Sequence, residues 1–191
     1  LEAVKVTIDG GEITIYPSDD GINANSEKDS VITINGGSVT IINETAQDAD
    51  GLDSNKDIEI NGGTLFISLN DGMSNSAIDY GSESGGTCKI NGGTVIAAGG
   101  SGMQEAISSD SAQGFLMKTV NTVSADTRIT LKDSAGTERI DKTIPADFSC
   151  LILSTKGMKV GDTMILTIGN DAETVTIDNT SPVSGMGGGR R

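Results

Sequence analysis

The sequence predicts an all-β chain: a parallel β-helix followed by a small antiparallel β module. Three observations carry that expectation. A four-fold repeat fills residues 1–110 with steps of 26, 26 and 30 residues between its Gly pairs. Each copy alternates apolar and polar side chains with period two, and no window shows a 3.6-residue stripe. The repeat and the charge imbalance also stop together. Residues 1–110 carry 18 acidic and 4 basic side chains, the whole of the net charge of −14, whereas residues 111–191 balance 9 against 9.

The copies are Val6–Ile15, Ile32–Ile41, Ile58–Ile67 and Cys88–Ala97, each built around Asp-Gly-Gly or Asn-Gly-Gly. Reading down the copies gives apolar columns: Val6, Ile32, Ile58 and Cys88, then Ile8, Ile34, Ile60 and Ile90. After the Gly pair come Ile13, Val39, Leu65 and Val95, then Ile15, Ile41, Ile67 and Ala97. One copy cannot bury its apolar face alone, but stacked copies make a continuous core. The Gly pairs supply the bend between two short strands. Columns starting at Thr7 and Thr14 face outward. The first of these places Lys89 over Glu59, and the second runs Thr14, Thr40, Phe66, Ile96. Cys88 falls in an inward column and reads as a buried core thiol.

A second unit interleaves with the first: Asp20-Gly-Ile-Asn-Ala-Asn25, Asp50-Gly-Leu-Asp-Ser-Asn55, Ser76-Ala-Ile-Asp-Tyr-Gly81 and, faintly, Glu105-Ala-Ile-Ser-Ser109. Stacking sets Asp20 over Asp50 and Asn23 over Asp53 over Asp79, with Asn25 over Asn55 beside them; Asp19, Asp48, Asp57 and Asp71 fall in adjoining turns. Carboxylates about 5 Å apart repel by roughly 1 kcal/mol in water and by more where water is excluded. A hard cation would neutralise them. Ca²⁺ takes 6–8 oxygen ligands, and with His absent the oxygen donors favour it over zinc or copper. The expected ligands are Asp20, Asn23, Asp50, Asp53, Asn55 and Asp79. The alternative is that these Asp and Asn residues are turn formers that cap backbone groups. No EF-hand loop is present.

From Phe115 onward the repeat gives way to short alternating runs at 115–120, 127–132, 150–153, 163–168 and 173–177, separated by turn signals such as Lys159-Val-Gly-Asp162. They predict an antiparallel module over residues 111–180 that covers the open end of the coil stack. Residues 181–191, with Gly185-Met-Gly-Gly-Gly189, read as a flexible tail.

Composition excludes several functions. The acidic balance opposes nucleic-acid binding. The absence of His removes His-dependent triads and general bases. Two Cys make no disulfide framework. No apolar run reaches the roughly 20 residues of a membrane span. No secretory leader is legible, and the sequence opens in mid-pattern, as expected of a trimmed piece of something longer.

The Asp-Gly-Ile-Asn-Ala-Asn and Ile-Asn-Gly-Gly-Thr-Val units, then Ala97-Ala-Gly-Gly-Ser-Gly-Met103, Phe148-Ser-Cys-Leu-Ile-Leu-Ser154 and Val160-Gly-Asp-Thr163, resemble a bacterial, clostridial-type carbohydrate-binding family. The resemblance covers about residues 4–178. It implies an extracellular or cell-surface right-handed parallel β-helix that looks like a polysaccharide lyase. It also implies bound calcium and a partner of plant cell-wall type, cellulose or an acidic sugar such as polygalacturonate, without established lyase activity. The motif maps onto Asp20–Asn23 and Asp50–Asp53, and the third copy departs from it with Ser76 and Ala77, where Asp71 and Asp79 would have to compensate.

The leading expectation is therefore a non-catalytic, calcium-binding polysaccharide binder. Tyr16, Phe66 and Tyr80 are its candidate stacking rings, and Phe66 with the column holding Tyr16 and Ile42 forms the expected apolar strip. With no Trp, a flat aromatic platform for crystalline cellulose is not in view. One alternative is a Ca²⁺-dependent lyase that removes the proton α to a uronate carboxylate. Lys56, beside Asn55 and Asp57, is then the candidate base or sugar contact. The other alternative is a structural stalk or adhesin in which calcium only stabilises the coil.

Overall fold

A computed structural model describes residues 1–26, 28–45, 48–72 and 74–182, so of the tail expected over 181–191 all but the first two residues lie outside the described residues, and Ser181 Oγ accepts the Ile107 N–H (3.0 Å). The first part is a parallel β-helix of three strands per coil. Its first coil holds β1 (Glu2–Ala3), β2 (Lys5–Ile8) and β3 (Glu12–Ile15); the second, β4 (Ile22–Ala24), β5 (Val31–Ile34) and β6 (Ser38–Asn43). The third holds β7 (Leu52–Ser54), β8 (Asp57–Ile60) and β9 (Thr64–Leu69), and the last β10 (Ile78–Tyr80), β11 (Cys88–Ile90) and β12 (Thr94–Gly99). Like strands stack in parallel into three sheets, ordered β1-β4-β7-β10, β2-β5-β8-β11 and β3-β6-β9-β12.

The repeat spacing sets the register. Ile32 pairs with Val6 and Ile58, Cys88 with Ile58, and Leu65 with Val39 and Val95. Ile22, Ile32, Ile34, Ile41, Leu52, Ile58, Leu65, Ile67, Ile78 and Cys88 are wholly buried, and Ile13 and Ile15 of the first rung are partly so. Full burial of one such aliphatic side chain is worth about 1.5–3 kcal/mol, so the columns hold the coil together. Exposed Asn side chains add a second ladder at the Gly-Gly bend. Asn35 Nδ2 donates to Asp9 Oδ1 (2.7 Å), Asn61 to Asn35 Oδ1 (3.0 Å) and Asn91 to Asn61 Oδ1 (2.9 Å). The second Gly of each bend, as at Gly63 with φ +77°, occupies the left-handed region.

The C-terminal part holds β13 (Leu116–Val123), β14 (Thr127–Asp133), β15 (Glu138–Ile144), β16 (Phe148–Ser154), β17 (Thr163–Ile168) and β18 (Asp171–Thr176). It does two things. β16 pairs antiparallel with β12 and β13 with β16, so the third sheet continues past the last coil. Phe115, Met117, Cys150 and Ile152 join the core of the helix at that end. The antiparallel sheet β15-β14-β17-β18 contributes Ile129, Leu131, Ile140 and Leu166 to a second core, which includes Phe66, Ile96 and Ala98 from the outer face of the third sheet.

That lateral packing corrects the expectation for Phe66. Its column does point away from the helix, but the ring is only 5% exposed, lies in the second core and carries the Lys142 ammonium 4.1 Å from its centroid. It offers no face to a sugar. Among the described residues no helix is long and apolar enough to cross a membrane.

Candidate functional site

The interleaved unit forms the corner into the first sheet. Its Gly is required by coil-to-coil contact. A Cβ at Gly51 would stand 2.5 Å from the Ala77 carbonyl oxygen and 2.7 Å from Ile67 Cγ2. The preceding Asp caps the next coil: Asp20 Oδ1 accepts the Asp50 N–H (2.9 Å), and Asp50 Oδ1 accepts both the N–H and the Oγ–H of Ser76 (2.7 Å each). The turn-forming role of these two residues is thus real. In the third copy Ala77 N–H finds Gln104 Oε1 instead (3.1 Å).

One step further, β4, β7 and β10 bring Asn23, Asp53 and Asp79 side by side as direct register partners. Asn23 Nδ2 donates to Asp20 Oδ2 (2.7 Å) and to Asp53 Oδ2 (2.8 Å), so one amide holds two carboxylates. The row is half-buried. Burial and then repulsion from Asp20 and Asp50 push Asp53 up to about 7. Burial, followed by repulsion from Asp50, Glu105 and Asp53, raises Asp79 to about 7. Burial lifts Asp50 to about 6 against the opposing Ser76 bonds. No Lys or Arg enters any of these balances.

Glu105 belongs to the row, although the sequence reading does not include it. It takes a 2.7 Å bond from Ser82 Oγ, adds to the repulsion on Asp79, and is itself raised, chiefly by burial. Its signal is the faint fourth copy, Glu105–Ser109. Among the described residues, two buried side-chain oxygens have no hydrogen-bond partner, Asn23 Oδ1 and Glu105 Oε2, and both are on this row. Orphaned oxygens beside desolvated carboxylates are a donor set suited to a hard cation. Yet among the described residues no three acidic side chains converge into a closed metal cage. A calcium ion held here would need further oxygens from water, backbone or a ligand.

The other expected site residues are dispersed. Asn55 donates to Asn25 Oδ1 (3.0 Å), an exposed pair alongside the row. Lys56 is half-buried beyond it. Tyr16, on the first rung, is 74% exposed. Tyr80 is a correction: it stands in register with Ser54, in an inward column, packs in the helix core and donates its hydroxyl to the Ala106 carbonyl (2.7 Å). Burial holds that phenol up at about 12. Asp71 does not compensate at the third copy, because its carboxylate bonds Thr122 and Ser149 of the C-terminal part. Lys89 is in register with Glu59 but forms its ion pair with Asp110 (2.7 Å).

Stacked coils with an oxygen-rich outer face, continued by an antiparallel module, define the chain as a β-solenoid. The profile of a family described as "Carbohydrate-binding domain-containing protein" matches residues 2–134, and the chain belongs to that family. The match spans all four coils and runs into the module as far as the turn after β14. No curated protein and no solved structure matches the chain.

Proposed function

We propose that this chain is a non-catalytic binder of acidic polysaccharide outside the bacterial cell, and that the row Asp20–Asn23–Asp50–Asp53–Asp79, with Glu105, holds Ca²⁺ for that purpose. The observation that carries the reading is the row itself: carboxylates pushed toward neutrality and, among the described residues, two orphaned oxygens and no basic side chain among the causes of those shifts. An open oxygen shell leaves places for ligand oxygens. A uronate chain supplies carboxylates, which a domain of this charge would otherwise repel. Family membership supports a carbohydrate as the partner.

The test is calorimetric titration of oligogalacturonides with millimolar Ca²⁺ and again with EGTA, with melting followed in parallel. Binding in calcium that disappears in EGTA, while the protein stays folded, is the expected result. Equal binding in both buffers, or none in either, would refute it. Ultraviolet absorbance of the same mixtures, which rises if unsaturated uronides form, tests the lyase alternative.

A further inference from the structure

We propose that a cleft at the junction of the last coils and the C-terminal part is a subsite for a neutral sugar, separate from the acid row. It is a shallow, open cleft lined by Asp71, Ser101, Val120, Asn121, Thr122 and Ser149, with Gly72 and Gly102. Four segments meet there. Asp71 follows β9, Ser101 follows β12, Val120–Thr122 lie on β13, and Ser149 lies on β16.

Asp71 is anchored at both carboxylate oxygens. Its Oδ1 accepts from Ser149 Oγ and its Oδ2 from Thr122 Oγ1, both at 2.6 Å. Ser149 is 7% exposed and also accepts the Ser101 N–H (2.9 Å), with Ser101 Oγ 3.1 Å from its hydroxyl. Each carboxylate oxygen has two acceptor positions. The two protein bonds use one on each, so Asp71 keeps a preorganised acceptor on either oxygen for an incoming hydroxyl. Asn121, exposed on β13, adds an amide donor and acceptor, and Val120 gives an apolar patch for the C–H face of a pyranose.

The lining contains a single acid and no Lys or Arg. A uronate would meet an uncompensated carboxylate there, whereas a neutral sugar brings hydroxyl donors without charge. The inference rests on reading the chain as a carbohydrate binder but not on calcium.

The test titrates neutral cello- and xylo-oligosaccharides, in EGTA, into the wild type, Asp71→Asn, Asn121→Ala and the double variant Asp53→Asn/Asp79→Asn. Calorimetry gives the affinity, and amide shifts of residues 120–122 give the location. Binding that shifts those amides, weakens at least tenfold in Asp71→Asn and Asn121→Ala, and persists in the double variant is expected. Asn121 is exposed, so its variant separates lost binding from lost fold. No neutral-sugar binding, or binding indifferent to both cleft substitutions, overturns the subsite. Calcium-dependent oligogalacturonide binding without neutral binding overturns the cleft alone. Neutral binding without the calcium-dependent kind supports the cleft and overturns the acid-row reading. Absence of both overturns the two together.

Discussion

Replacing Asp53 and Asp79 together by Asn should stabilise the calcium-free protein, increasingly so as pH rises. In the folded chain both carboxyls titrate near 7, against 3.8 when exposed. Their folded pKa is raised, so between these values the native state binds more protons than the unfolded one. By linkage, stability from these groups then falls as pH rises through that window and levels off above about pH 8. Two groups give up to about two protons. Both are only half-buried, so solvent screening shrinks the shifts and narrows the window; with about one net proton released across it, the slope is about 1.4 kcal/mol per pH unit. At this chain length that is about 3–6 °C of Tm per unit. Asn titrates nowhere in the range. Melting of both proteins in EGTA at half-unit steps from pH 4 to 9 should therefore show the variant gaining on the wild type up to about pH 7, with a constant gap beyond pH 8. A gap that is flat with pH, or one that closes as pH rises, would refute the reasoning.

Four other outcomes follow from the same structure. Ca²⁺ at about 100 times its Kd at pH 7.5 should raise the wild-type Tm by an amount equivalent to about 2.7 kcal/mol, and the same concentration should stabilise more at pH 8 than at pH 5, because protons and calcium compete for the same oxygens. Asn61→Ala removes two rungs of the exposed Asn ladder and should cost about 1–2 kcal/mol in denaturant melts, leaving calcium binding intact. Phe66→Ala empties the packing between the third sheet and the module. A loss of about 3–5 kcal/mol is expected, with glycan affinity of the folded fraction unchanged. Gly51→Ala drives a methyl into the Ala77 carbonyl and Ile67 and should lower Tm by more than the Asn61 substitution does.

The solenoid is legible in the sequence because its information is local and repeated. Period-two alternation and a near-constant step fix which side chains stack, and the observed partners Asn23–Asp53–Asp79 are those the spacing gives. What escapes depends on contacts distant in sequence. Phe66 reads as outward, and is outward, but only tertiary packing reveals that a second sheet lies over it. β15 is hidden because Glu138, Arg139, Asp141 and Lys142 dilute its two Ile residues, a charged pattern typical of the sheet edge it occupies. The Asn-Gly-Gly motif signals its bend, while its Asn column also makes a continuous ladder of its own. Tyr80 is the case where register outweighs residue type: an aromatic ring suggests sugar stacking, but its column holds Ala24 and Ser54, both buried.

Direct titration of Ca²⁺ into the metal-stripped protein at pH 7.5, wild type beside Asp53→Asn/Asp79→Asn, tests the acid row most directly. A saturable isotherm in the wild type that vanishes in the variant is the expected result. Two superimposable isotherms, or no heat in either protein at millimolar calcium, would contradict it.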